Sequence, residues 1–165
     1  MCSPRANESL NLTRHVSAFF VARRLVHSLG GSKNDRGFRM HRSRLGGLII
    51  DCQTDDLEAA AEFWTKTLGY EPRHSSHPDD KGYIPLKTGP DDPHIELQRV
   101  THPSRVHIDI ETDNIEAEVS RLEKLGAKRV KKVSNWWVME APTGHRFCVI
   151  VAETSSFKRN ANKWD

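Results

Sequence analysis

The residues best suited to chemistry sit at alternate positions in two short stretches, His94-Ile95-Glu96-Leu97-Gln98 and Val106-His107-Ile108-Asp109-Ile110-Glu111. In an extended strand successive side chains point to opposite faces. His94, Glu96 and Gln98 therefore share one face of the first stretch, and His107, Asp109 and Glu111 share one face of the second. Their apolar neighbours turn toward whatever covers the other side. An imidazole held beside carboxylates away from water is easily tuned toward neutral pH, so His107 with Asp109 or Glu111 is a candidate general acid/base pair. The same alternation places Ile49, Asp51 and Gln53 on the equivalent face of an earlier strand, and Cys148 and Ile150 on that of a later one. Trp136 and Trp137 are adjacent in a strand, so one indole faces the polar side and the other the core. Asp51, Gln53, Gln98, Trp136, Trp137 and Met139 are the candidate ligand contacts, with core packing as the competing use of the aromatic pair.

The elements that must position these residues come in two copies. LIIDCQTDDLEAAAEFWTK (48–66) and VHIDIETDNIEAEVSRLEK (106–124) align without a gap at a constant offset of 58 residues, sharing Ile50/Ile108, Asp51/Asp109, Thr54/Thr112 and Glu58/Glu116 among others. Each copy opens as a strand and changes to helical spacing, with apolar stripes at Leu57, Ala60, Ala61, Trp64 and Leu68, and at Ile115, Val119, Leu122 and Leu125. Asp55 with Glu58 and Asp113 with Glu116 have capping spacing at the helix starts, and Gly69 and Gly126 supply the left-handed residue at the ends. Strands are expected at 70–74, 83–87 and 94–100 after the first helix, and at 128–133, 136–140 and 146–151 after the second, with Pro/Gly/Asp turns between. Each unit thus reads β-α-β-β-β. A sheet covered by its helix on one side leaves the other bare, and two such units are expected to place their bare, polar faces around a shared concavity.

The 165 residues suffice for one well-buried core. A hydrophobic content of 36% with 28% charged residues, and no apolar run near membrane-spanning length, excludes a membrane-spanning protein of the helical kind. The net charge of +3 is unevenly placed: residues 1–43 hold eight Lys/Arg and two acids, leaving 17 and 20 for residues 44–165. The basic arm lacks interleaved aromatics and a folded basic face, which argues against nucleic acid as a partner. Residues 1–43 are read as a basic extension, disordered or weakly helical over 15–29. Residues 44–153 are the folded domain, with modules 44–100 and 105–153, and residues 154–165 are a polar tail. Three widely spaced cysteines, Cys2, Cys52 and Cys148, argue against a disulfide framework and for a reducing, cytoplasmic setting.

Residues Leu48–Tyr70, His94–Val100, Val106–Ala127 and Ala141–Val151 together resemble the vicinal oxygen chelate superfamily, which includes glyoxalase I, extradiol dioxygenases, fosfomycin-resistance enzymes and bleomycin-binding proteins. The particular likeness is to the small glyoxalase-like domains. The resemblance implies an α+β fold in which two tandem βαβββ modules form a curved, half-barrel mixed sheet around a central cup, helices outside. It also implies four metal-ligand positions, which fall here on Ile49, Glu96, His107 and Cys148. Glu96 and His107 match the family's ligand types, Ile49 has no lone pair, and Cys148 offers a thiol in place of the usual carboxylate. No cofactor is required on this reading, and a divalent metal (Zn, Ni, Mn or Fe) on Glu96 and His107, with Cys148 as third ligand, stays open. The leading expectation is a glyoxalase-like protein that binds or transforms a small polar organic molecule in the cup, its metal site degenerate. The alternative is a metal-dependent lyase or isomerase of the glyoxalase I type using Glu96 and His107. Family members pair their modules within a chain or across a dimer, so a homodimer is also open.

Overall fold

The structure is a computed structural model that describes residues 40–74 and 81–165. The helix expected over 15–29 and residues 75–80, between the strands expected at 70–74 and 83–87, lie outside the described residues.

Alternating sequence becomes strand where the parity holds. β1 (His41–Cys52) is followed by α1 (Leu57–Leu68), β2 (Tyr83–Pro85) and β3 (His94–Arg99). The second unit consists of β4 (Arg105–Thr112), α2 (Ile115–Lys124), β5 (Lys128–Val133), β6 (Trp136–Glu140) and β7 (Arg146–Val151). After it come a single helical turn, α3 (Phe157–Asn160), and a short strand, β8 (Asn162–Trp164). The strand expected at 70–74 is reduced to a bridge between Pro72 and Leu86. Pro72 has no N–H to continue a ladder, and the pairing rests on its neighbours, Arg73 N–H to Pro85 O and Lys87 N–H to Glu71 O, each 2.8 Å.

The helix caps fall one residue later than expected. Asp56, not Asp55, accepts from Ala59 N–H, and Asn114, not Asp113, accepts from Ala117 N–H. Asp113 instead accepts from Arg42 N–H at 2.7 Å and ties the second unit to β1. Gly69 ends α1 at φ 74°, and Gly126 follows α2 at φ 95°.

One sheet holds both modules, in the order β2-β3-β1-β4-β7-β6-β5, with β8 added to β1. β1 runs parallel to β3 and antiparallel to β4, and β4 runs parallel to β7. The two modules therefore join within one chain through the β1–β4 pair. In that pair Ile49 stands opposite His107, and these two are also equivalents at the repeat offset, so the internal twofold passes between them.

Two cores lie on the helix side. α1 packs Ala61, Leu57, Ala60 and Trp64 against Ile50, Cys52, Ile84, Leu86 and Leu97. α2 packs Val119, Ile115 and Leu122 against Met139, Phe147, Val149 and Ile110. Val106 and Ile108, expected to pack beneath a helix, belong to neither cluster and are 56% and 40% exposed.

Candidate functional site

The concave face carries the residues that parity assigned to it. A cavity of about 50 Å³ is lined by Ile49, Tyr83, Glu96, Gln98, His107, Asp109, Trp136, Cys148 and Ile150. That space holds a few waters or one small substituent, far below the several hundred Å³ that encloses a drug-sized ligand. Any larger ligand must lie across the mouth.

β4 sits at the centre of the sheet and brings His107 and Asp109 to the floor. Asp51, next to them on β1, accepts from His107 Nδ1 at 2.9 Å and from Arg105 Nε at 3.1 Å through the same oxygen, Oδ2. His102 Nε2 stands 3.7 Å from that oxygen. A carboxylate paired with a guanidinium only accepts, so Nδ1 carries the hydrogen, and in the neutral ring Nε2 keeps its lone pair. Nε2 points to Asp109 Oδ1, 3.6 Å away and beyond hydrogen-bond reach. Asp109 Oδ1 is buried without a hydrogen-bond partner, as is Asp51 Oδ1. Burial, opposed by His107 and reinforced by Glu96, pushes the Asp109 carboxyl up to about 6. Burial together with the Asp109 charge drives the Cys148 thiol well above its usual range. Cys148 is thus held as a neutral thiol, which argues against a nucleophile. Tyr83, on the wall, is pushed to about 12 by burial, then by Glu96, Asp51 and Cys148.

Among the candidates marked from sequence, His107, Asp109, Gln98, Glu96, Cys148 and Trp136 meet at the cavity. Asp51 stands behind the wall as the partner of His107. Gln53 is exposed, and its side-chain amide donates to Thr101 O at 3.2 Å, so it braces the link between modules. Trp137 and Met139 have the opposite parity to Trp136 and belong to the α2 core, Met139 being fully buried. Trp137 Nε1 donates to Glu116 Oε1 at 3.1 Å. Glu111 has the parity of His107 and Asp109, but Arg44 Nε and Thr154 Oγ1 both donate to its Oε1, and it lies outside the cavity. The C-terminal segment covers that end of the concave face. Tyr83 was not marked from sequence, and no short motif distinguishes it from an ordinary strand tyrosine.

The family ligand positions converge only in part. Ile49 offers no donor atom, and Glu96 Oε2 is engaged by His94 Nε2 at 3.2 Å. Three atoms do converge among the described residues, two of them at family positions: one ligand atom each from His107, Asp109 and Cys148, all within 4.8 Å of one another.

Two βαβββ-type modules, the second strand of the first reduced to a bridge, share one sheet around a polar cup and define a protein of the vicinal oxygen chelate type. The glyoxalase-like domain matches residues 47–150, and the chain belongs to that family. No curated protein matches its sequence. Among solved structures it is similar to methylmalonyl-CoA epimerase from Mycobacterium tuberculosis, with 16% identity and a TM-score of 0.50 over 66% of this chain and 87% of that one. It is also similar to a variant of homoprotocatechuate 2,3-dioxygenase from B.fuscum, with 14% identity and a TM-score of 0.47 over 72% of this chain and 36% of that one. No helix of the described residues is long and apolar enough to cross a membrane.

Proposed function

We propose that the cup binds a small polar organic molecule and transforms it by proton transfer. The observation that supports this best is the line from Asp51 through His107 to Asp109: a fixed Nδ1–H on one side, and on the other a free Nε2 beside a buried carboxylate oxygen at the floor of the cavity. The cavity takes one oxygen-bearing substituent, a carbonyl or a carboxylate, while the rest of the molecule lies over the mouth against Trp136. Gln98 supplies an amide, and Tyr83 a hydroxyl that stays protonated across the physiological range. A proton on the carbon next to a carbonyl then faces His107 Nε2, which takes it as a base. Glu96 lines the same wall. The setting is a single chain, because both halves of the cup come from one sheet.

The test is deuterium exchange. Chelator-treated protein in D2O is incubated with a panel of small enolisable carbonyl and oxyacid compounds, and incorporation is read by proton NMR. At least one compound is expected to exchange, and the exchange to fall by about 10²-fold or more in His107→Ala. Absence of exchange and of ligand-observed binding across the panel, or exchange undiminished in His107→Ala, would overturn the reading.

A further inference from the structure

The helix side of the sheet carries an uncovered apolar strip along the β1–β4 pair, where the two modules join. Pairing sets Leu45 opposite Ile110, Leu48 opposite Ile108 and Ile50 opposite Val106, and all six share the face on which Ile50 and Ile110 meet the helices. Leu45 and Ile108 are each 40% exposed there, and Val106 is 56% exposed. α1 adds Phe63. Ala61 faces the sheet and Glu58 turns to His74, outside the β2 edge, so at 3.6 residues per turn Phe63 falls on the flank toward β4, 61% exposed. Single exposed apolar residues are ordinary, but four gathered along one furrow between two helices form a contact surface.

We infer that residues 18–29 of this same chain cover the strip, as an amphipathic helix laid along the β1–β4 pair and antiparallel to β1. This goes beyond the proton-transfer reading, since the strip is on the face of the sheet opposite to the cup.

Pattern, length and tether agree. Ala18, Phe19, Ala22, Leu25, Val26 and Leu29 make one stripe at three-and-four spacing, with Arg23 and Arg24 outside it. Twelve helical residues are about 18 Å long. From Leu45 to the Ile50–Val106 pair is five residues of strand, roughly 17 Å. The stripe thus matches the strip from end to end. Residues 30–39, GGSKNDRGFR, join Leu29 to Met40, immediately before β1. A flexible linker of ten residues has an r.m.s. span of about 16–19 Å, and Leu45 stands five residues along β1 from Met40, again roughly 17 Å. Leu29 over Leu45 and Ala18 over Val106 is the orientation this tether favours. The reverse would stretch the linker to about 33 Å, the limit of ten extended residues.

The same tether selects the occupant. It holds the segment near its site at an effective concentration in the millimolar range, which a second copy of the chain reaches only in very concentrated solution. Residues 1–43 are net basic and the rest of the chain net acidic, so the long-range attraction has the same sign. A helix of this length is marginal in water by itself, so order in residues 18–29 requires the strip beneath it.

Backbone hydrogen–deuterium exchange of the full chain, read peptide by peptide, tests this. Amides of residues 19–29 are expected to exchange at least tenfold more slowly than those of residues 1–14, corrected for intrinsic rates, in a protein that light scattering shows to be monomeric. Ile108→Glu, and separately Phe63→Glu, should return residues 19–29 to the rate of residues 1–14 while β7 keeps its protection. Phe63 is exposed on a helix surface and tolerates the change, so the test holds even where Ile108→Glu fails to fold. Residues 19–29 unprotected in the unaltered chain, protection surviving Phe63→Glu, or protection of β4 that rises with protein concentration alongside a dimer would each overturn the assignment, the last by making a second copy the occupant. The substrate-exchange experiment reads the opposite face of the sheet, so either proposal can fail while the other stands.

Discussion

One oxygen of Asp51 serves His107 Nδ1 and Arg105 Nε, and this shared contact decides what the other face of the imidazole does. Replacing the carboxylate by an amide lets the side chain present either a donor or an acceptor, and the tautomer of His107 is no longer fixed. Asp51→Asn is therefore expected to lower substrate deuterium exchange by about 10²-fold or more while circular dichroism stays native, because Arg105 is part-exposed and regains water. Loss of exchange with retained ligand binding is the signature of a positioning role. From sequence, Asp51 was readable as facing the cup, and parity alone established that. Its engagement with His107, 56 positions away, was not readable, because it depends on the register of β1 against β4. Tyr83 was missed for a related reason: its importance comes from the burial it acquires beside β3, not from its neighbours in sequence.

The elements themselves were largely legible. β5, β6 and β7 have the boundaries that alternation indicates, and both helices follow the apolar stripes. β1 differs, beginning at His41, well before the repeat unit, and containing a register shift between Leu45 and Gly47. Gly46 lies in that shift, and a Cβ there would stand 2.9 Å from Glu111 Cβ and 3.3 Å from its backbone nitrogen. The backbones of β1 and β4 close on each other because this position has no side chain. Gly46→Ala should cost about 1–3 kcal/mol through overpacking, read as a lowered midpoint in urea denaturation. Gly82→Ala meets no neighbouring atom but is strained by its φ of 102°, so it separates a backbone cause from a packing one. The stripe also overstated helix coverage: Leu68 and Leu125 have helical spacing yet are 39% and 65% exposed, since each sits at a helix end beyond the sheet.

At the scale of the whole molecule, the C-terminal segment is fastened to the first strand by buried polar groups. Glu118, fully buried on α2, accepts from Ser43 Oγ and from both Arg121 nitrogens and pairs with His41 Nε2 at 2.7 Å. Trp164 Nε1 donates to Ser43 Oγ at 2.7 Å, and the Arg121 guanidinium stacks 4.0 Å from the Trp164 ring centroid. Burial would raise the Glu118 carboxyl, but the hydrogen bonds from Arg121, His41 and Ser43 outweigh it and hold it below its usual value of 4.5. A depressed native value means that the unfolded chain binds the proton more readily. The stabilisation is therefore complete above about 4.5 and is lost as pH falls through and below it. Glu118→Gln should cost about 3 kcal/mol near neutrality and flatten the acid limb of a thermal-unfolding profile, whereas an unchanged acid limb would assign that loss to other carboxylates. Sequence marked residues 154–165 only as a polar tail, because nothing local shows that β8 pairs with β1.

The tautomer of one ring decides whether His107 can act as a base. Long-range nitrogen–proton correlation spectra of metal-free protein, with His107 assigned by substitution, report which imidazole nitrogen carries the hydrogen. Nδ1 protonated and Nε2 bare is the predicted result, with the pattern lost in Asp51→Asn. A hydrogen on Nε2, or a ring exchanging freely between tautomers as at a solvent-exposed histidine, would contradict it.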